Sequence, residues 1–368
     1  MIPRGYAKNM DIGLITSAML LIAVGLLTQF SLEWNSGRLV GDYFIHQLAW
    51  IILSLIVGSV CWILNYKIWD RFAWLLYIVN IVMLIGLLIM DKKISGAASW
   101  FKLGFMSFQP SEFAKLLFVV TFAGFLSRYR QDINTIPILS LAFLQFLLPF
   151  GLIMLQPDLG TALVFVFIFF GMLFVAGVDW LTIFLSLVIC VSSGIAATPY
   201  VLKDYQFKRI TAFLNPESNP LGTGYQLIQS KIAIGSGGFL GKGIFNSTQA
   251  GLGFLPTAQS DFVFSTICEQ AGFVGGVFVI GLLITFLSRV MRVGGRAEDM
   301  FAMLICAGVF SMIAFQAIIN IGMTMGLFPI TGIPLPFVSY GGSSLLINAV
   351  AVGLLLNISV RRRKIMFV

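Results

Sequence analysis

Apolar residues in this chain do not alternate with polar ones. They come in unbroken runs, the first from Ile12 to Phe30, with others at about 44–64, 72–90, 111–127, 135–155, 159–177, 181–199, 262–288, 300–325 and 341–360. A bilayer core takes about 20 residues of helix, whereas a membrane strand alternates over about ten, so these runs predict ten helices. The first run is too long for a typical signal-peptide core and lacks a convincing cleavage site, so it reads as a retained helix.

Composition agrees. Of 368 residues, 58% are hydrophobic and 10% charged, with a mean hydropathy of +0.96. The expected class is an all-α polytopic integral membrane protein, because only helices or closed barrels satisfy the backbone in lipid. We treat residues 1–368 as a single membrane domain.

The net charge of +8 does not indicate nucleic acid, since an excess of Lys and Arg marks cytoplasmic loops. One set of loops carries Arg4, Lys8, Lys67, Arg71, Arg128, Arg130, Arg289, Arg292, Arg296 and the run Arg361–Lys364. The short loops of the other set hold Arg38, Lys92, Lys93 and Lys102. Both termini are therefore expected in the cytoplasm, and the large loop at about 200–261, between helices 7 and 8, outside. Trp100, Phe101, Phe105 and Phe108 in the 91–111 loop suggest a segment at headgroup level. In the large loop, Phe207, Ile210 and Phe213 or Leu214 recur at helical spacing, as do Tyr225, Ile228 and Ile232 opposite Gln226, Gln229 and Ser230. Two short amphipathic helices resting on the outer surface are expected, a packed loop being the plainer alternative.

Cys61, Cys190, Cys268 and Cys306 lie far apart without ligand spacing, and His46 reads as an interfacial anchor. "IGSGGFLGKG" (234–243) is not a P-loop, because Gly243 follows Lys242. "SWFK" (99–102) lacks the companion motifs of penicillin-binding enzymes.

Ionisable residues near the membrane carry more weight. Glu112 and Lys115 stand at i, i+3, where they can neutralise each other. They read either as a pair that orients the helix or as a polar cavity wall. Asp158 precedes an apolar helix and reads as its N-cap. Gln316, Asn320, Ser343, Ser344 and Asn348 are expected to bond between helices or to line a cavity. Asp261, in "LPTAQSDFVFS", borders an apolar run without a basic neighbour in the next turn. It is either an ordinary cap or a carboxylate that desolvation turns into a base. Glu269 is expected two turns deeper on a similar face.

"FQPSEFAKL", "QPDLGTA", "DYQFKRITAFLNPESNPLGTGYQLIQSKIAIGSGGFLGKG", "SDFVFSTICEQAGFVGG" and "GIPLPFVSYGGSS" together resemble the SEDS family of bacterial cell-wall enzymes, in order and over essentially the whole chain. The short tails and the 225–243 stretch are more similar to the elongation branch than to the division or sporulation branches. The resemblance implies a peptidoglycan glycosyltransferase of the bacterial cytoplasmic membrane that polymerises lipid II on the outer face. It implies a class B penicillin-binding protein and other elongation-complex membrane proteins as partners. The family's essential Asp falls on Asp261, and its Glu and Lys fall on Glu112 and Lys115. Thr257 and Ser260 depart from the residues that family members often carry there.

Such a reaction needs a base for the attacking sugar hydroxyl, the role expected of Asp261, with inversion because no close second carboxylate is visible. The leaving pyrophosphate needs positive charge. Lys115, Lys208, Arg209, Lys231 and Lys242 are candidates, as is a divalent cation, Mg or Mn, held by Asp261 and phosphate. Competing readings are a flippase or transporter of the lipid-linked precursor, which ten helices with buried charges would also fit, and a non-catalytic scaffold.

Overall fold

The structure is a computed structural model that describes residues 10–35, 41–89, 101–103, 106–201, 204–218 and 222–361. Arg4, Lys8, Arg38, Lys92, Lys93, Trp100, Phe105 and Arg362–Lys364 of the expectations above lie outside the described residues. The helices are α1 (Ile12–Asn35), α2 (Asp42–Ile63), α3 (Lys67–Arg71), α4 (Ala73–Ile89), α5 (Pro110–Arg128), α6 (Ile136–Leu155), α7 (Leu159–Ala176), α8 (Trp180–Val201), α9 (Asp204–Leu214), α10 (Thr223–Gly237), α11 (Val263–Gly294), α12 (Met300–Met325) and α13 (Gly342–Val360). Eight described helices are long and apolar enough to cross a membrane, whereas α4 and the Trp180–Gly194 part of α8 are shorter. The expected polytopic helical architecture is therefore present.

Its core is α5, α7, α12 and α13, and the outer helices turn apolar faces outward, as lipid allows. Phe118 and Phe122 of α5 stack at 5.1 Å, and Phe122 meets Phe169 of α7 at 5.3 Å. Phe146 of α6 adds a stack on Phe169 at 4.4 Å. In lipid such packing, rather than exclusion from water, holds helices together.

Three elements differ from the sequence expectation. The segment before α5 carries a pairing that the sequence did not signal: Phe101–Leu103 pairs antiparallel with Met106–Phe108, Phe101 opposite Phe108. The two loop helices exist, but α10 does not rest on a surface. Its buried face is Gly224, Leu227, Ser230, Ala233 and Gly237, while Ile232 is exposed. Small residues let it press against α11 and α12, and a Cβ on Gly237 would collide with the Cys268 carbonyl. Ser230, expected on the polar side, instead meets the Ser265 hydroxyl at 2.7 Å and donates to the Thr324 carbonyl at 2.7 Å. Finally, the helix expected at 262–288 is broken at Gly272, whose φ of 65° is left-handed. Residues 238–243 insert beside the break. Lys242 and Gly243 amides donate to the Glu269 and Gln270 carbonyls, both at 3.0 Å, and the Phe273 amide donates to Gly238 at 2.9 Å. Irregular backbone is thus satisfied inside protein, the condition for tolerating it near lipid.

Candidate functional site

Asp261 lies just ahead of α11, but it is not the cap of that helix. The N-cap is Phe262, with no side-chain bond to the helix. The Asp261 carboxylate is held by no backbone amide among the described residues. Its backbone is fixed instead. Thr257 takes a left-handed φ of 54°, and its carbonyl accepts the amides of Ser260 (3.1 Å), Asp261 (3.1 Å) and Phe262 (3.3 Å). Asn320 of α12 donates one amide group to two carbonyls, Asp261 at 3.0 Å and Ile333 at 2.8 Å. Ser339 donates to the Ser260 carbonyl at 2.6 Å and accepts the Leu335 amide at 2.8 Å. The Tyr340 amide donates to Gln259 at 2.9 Å. The carboxylate is therefore placed by a frame that leaves its own oxygens available.

Arg209 of α9 approaches it. Asp261 Oδ2 and Arg209 Nη1 lie 3.7 and 3.8 Å from the point where Gly332 would carry a Cβ. Arg209 also donates to the Ile330 carbonyl at 3.4 Å and packs 5.8 Å from the Tyr205 ring centre. Tyr205 and Gln206 pin α9 by donating to the Pro157 carbonyl at 2.6 and 3.1 Å. Gly332 has a φ of 73°, so a side chain there would both strain the backbone and enter the gap between acid and base. Asp261 is half-buried, yet the surrounding protein desolvates it enough to raise its pKa. Arg209 and the Ser260 hydroxyl pull the other way and lose.

Asp158 is the N-cap expected of it: Oδ1 accepts the Thr161 amide at 3.0 Å, and Oδ2 accepts the hydroxyls of Thr161 at 2.8 Å and Ser111 at 3.2 Å. Glu112 and Lys115 meet at 2.7 Å, both buried. Ser343 accepts the Gln109 amide at 3.0 Å, tying α13 to the start of α5. Gln316 is buried in α12 with its side-chain oxygen unpaired among the described residues.

Glu269 does not share the environment of Asp261. It is fully buried and accepts Thr248 N (2.8 Å), Thr248 Oγ1 (2.9 Å), Gln249 N (2.8 Å), Ala250 N (3.2 Å) and Lys242 Nζ (3.1 Å). Lys242 is thereby the counter-ion of Glu269 rather than a free cation. Lys231 lies across Gly326, where α12 ends, and Lys208 is exposed. Of the cations expected to meet a phosphate, Arg209 is the one whose charge acts on Asp261.

Among the described residues there is no group of three His, Cys, Asp or Glu that could hold a metal. Asp261 offers a single carboxylate, so Mg or Mn there would need phosphate oxygens as further ligands. Sequence reasoning missed Thr257 as a strained pivot, and also Ser339, Tyr205 and Gln206. Their signal was confined to short motifs whose partners lie far off in the chain.

The family model for the cell cycle proteins FtsW, RodA and SpoVE matches residues 12–364. The probable peptidoglycan glycosyltransferase FtsW of Trichlorobacter lovleyi is 39% identical over 331 residues, 87% of this chain and 84% of that one. The peptidoglycan glycosyltransferase RodA of Treponema pallidum is 32% identical over 98% of this chain and 99% of its own. A solved structure described as a peptidoglycan synthase complex that coordinates polymerization and crosslinking aligns with a TM-score of 0.80 at 32% identity, over 95% of this chain and 97% of that one. With matches of that extent, the chain belongs to the SEDS family, the family of FtsW, RodA and SpoVE.

Proposed function

We propose that this chain is a RodA-type peptidoglycan glycosyltransferase that polymerises lipid II during cell elongation, with Asp261 as its general base. The observation that carries the reading is the convergence of Asp261 and Arg209 on Gly332. A carboxylate of raised pKa stands beside a guanidinium without forming an ion pair with it, so each is available to a substrate.

The Asp261 carboxylate takes the proton of the acceptor sugar's 4-hydroxyl as that oxygen attacks the anomeric carbon of the pyrophosphate-linked sugar. The carbon–oxygen bond to pyrophosphate breaks, and undecaprenyl pyrophosphate leaves with the electron pair. Arg209 faces the charge that develops there. The step inverts configuration. A retaining route needs a second free carboxylate about 5 Å away. Glu269, Asp158 and Glu112 are each engaged elsewhere. A divalent cation bound by Asp261 and phosphate would add Lewis-acid stabilisation of the leaving group; polymerisation with and without a chelator measures that contribution.

In this reading α4 and α8 also cross the bilayer, giving ten spans with both termini in the cytoplasm. The Asp261 site then opens on the outer face of the cytoplasmic membrane. The partner is a class B penicillin-binding protein that crosslinks the product. The elongation role rests on the likeness of the 225–243 sequence to that branch, since relatives from the FtsW and RodA branches both match over most of the chain.

The test is polymerisation of lipid II by the purified chain with its partner. Asp261→Asn should abolish product while the variant still purifies as a folded monodisperse protein. Full activity in that variant refutes the base assignment, and translocation of lipid II in sealed vesicles without polymer would favour a transporter.

A further inference from the structure

Gln29 of α1 is 1% exposed, and neither its side-chain oxygen nor its nitrogen has a hydrogen-bond partner among the described residues. A buried primary amide with all its hydrogen-bonding capacity unmet costs free energy unless something binds it. It lines a cavity of about 300 Å³ between α1, the start of α2 and the 250–259 loop. One turn on, Glu33 lines the same cavity with its oxygens on the Gly41 and Phe44 amides at 2.9 and 3.1 Å. Tyr43 forms another wall. It is 48% exposed and sits edge-on to Tyr340 at 5.2 Å. The opposite wall includes Thr257 and Gln259, so the cavity is built on the same short loop that carries Asp261.

The lining chemistry selects the ligand. No basic side chain lines the cavity among the described residues, and one carboxylate does, so a phosphate is disfavoured there. The unmet groups of Gln29 are a neutral donor and a neutral acceptor, which suit a hydroxyl or an acetamido group. A mostly apolar wall with a few placed polar groups, one of them aromatic, orients such a ligand.

We propose that this cavity binds a neutral sugar ring of the glycan substrate, with the Gln29 amide as its principal hydrogen-bonding contact. The assignment rests on the glycosyltransferase reading and divides the substrate: sugar on the Gln29 side of the Asp261 loop, pyrophosphate on the Arg209 side.

The experiment uses the full chain with its partner and measures initial polymerisation rates against lipid II concentration. Undecaprenyl pyrophosphate, which has no sugar, serves as a competing probe. Gln29→Leu should raise the KM for lipid II about tenfold, as loss of a buried hydrogen bond implies. Inhibition by undecaprenyl pyrophosphate should stay unchanged, and the melting temperature should not fall. Tyr43→Ala, at an exposed position, should raise KM less. With a preformed glycan primer, a KM change confined to lipid II assigns the cavity to the incoming unit, and one confined to the primer assigns it to the growing strand; either supports the proposal. An unchanged KM in both variants overturns it. So does a KM rise accompanied by a lower melting temperature and equally weakened undecaprenyl pyrophosphate binding. Because these readouts need an active enzyme, their failure is separable from a failure of the Asp261 assignment.

Discussion

Two carboxylates flank one short helical segment and have opposite fates. Glu269 is sealed off and receives three backbone amides, a hydroxyl and an ammonium. Asp261 is half-buried, and its carboxylate receives no backbone amide among the described residues. Only its backbone is clamped, by Thr257, Asn320 and the frame around Ser339. Glu269 spends its charge on folding a loop. The Asp261 carboxylate has no backbone donor among the described residues, and burial raises its pKa. Burial alone does not separate the two acids; the number of donors each has already satisfied does.

The largest expected effect is at Asp261 itself. Asp261→Asn should lower the polymerisation rate by about 10²–10⁴-fold, the usual contribution of a general base. It should also raise the melting temperature near neutral pH. The sign follows from the pKa, which is higher in the folded protein than in the unfolded chain. The folded state therefore holds the proton to higher pH, and stability falls as pH rises from the ordinary carboxylate range through the raised value. Asparagine removes that dependence. Thermal melts in detergent across pH check it, and a variant that loses both activity and stability would erase the contrast with Glu269.

Glu269→Ala should behave in the opposite way. It strands three loop amides and the Lys242 ammonium, and a broken buried ion pair costs about 3–5 kcal/mol. Lys242 is partly exposed, so the lower end is expected. Melting temperature should drop, and activity should fall only in proportion to the folded fraction. Glu269→Gln, which keeps an acceptor for the amides, should recover part of the loss.

Much of this contrast was legible in the sequence, and some was not. The helices were readable because lipid demands long apolar runs, and Asp158 was readable as a cap because capping is local. Asp261 stood out because a carboxylate at the edge of an apolar run requires a reason. The sealed environment of Glu269 was not readable because its amide donors, Thr248, Gln249 and Ala250, lie 19 to 21 positions away on a separate loop. Lys242 looked like a phosphate ligand because its partner, Glu269, lies 27 positions away. The frame from Asn320 and Ser339 depends on a contact between segments far apart in the chain, which no local pattern encodes.

Arg209 sharpens the comparison from the electrostatic side. Arg209→Ala should reduce turnover by about 10- to 100-fold if its charge meets the leaving group. It should also move the acid limb of the pH–rate profile upward, because Arg209 holds the Asp261 pKa below where burial alone would place it. Arg209→Lys should restore most of the limb position and less of the rate, since lysine keeps the charge but not the planar fork of donors. Loss of turnover with no movement of the limb would mean that the arginine acts on the phosphate alone.

The smallest effect tests the frame rather than the acid. Thr257 is β-branched in a left-handed conformation, which costs about 1–2 kcal/mol relative to a residue without a Cβ. Thr257→Gly removes that strain but loosens the unfolded chain, so a net gain of at most about 1 kcal/mol is expected. If the left-handed turn exists to hold three amides on one carbonyl and so aim Asp261, glycine should preserve the geometry and the activity. Thr257→Pro forbids the positive φ and should disrupt the turn. Its rate should then fall steeply, while Glu269 and its loop, anchored independently through Lys242 and the 248–250 amides, keep the melting temperature high. Equal damage to rate and stability would show that the two carboxylates share one structural unit after all.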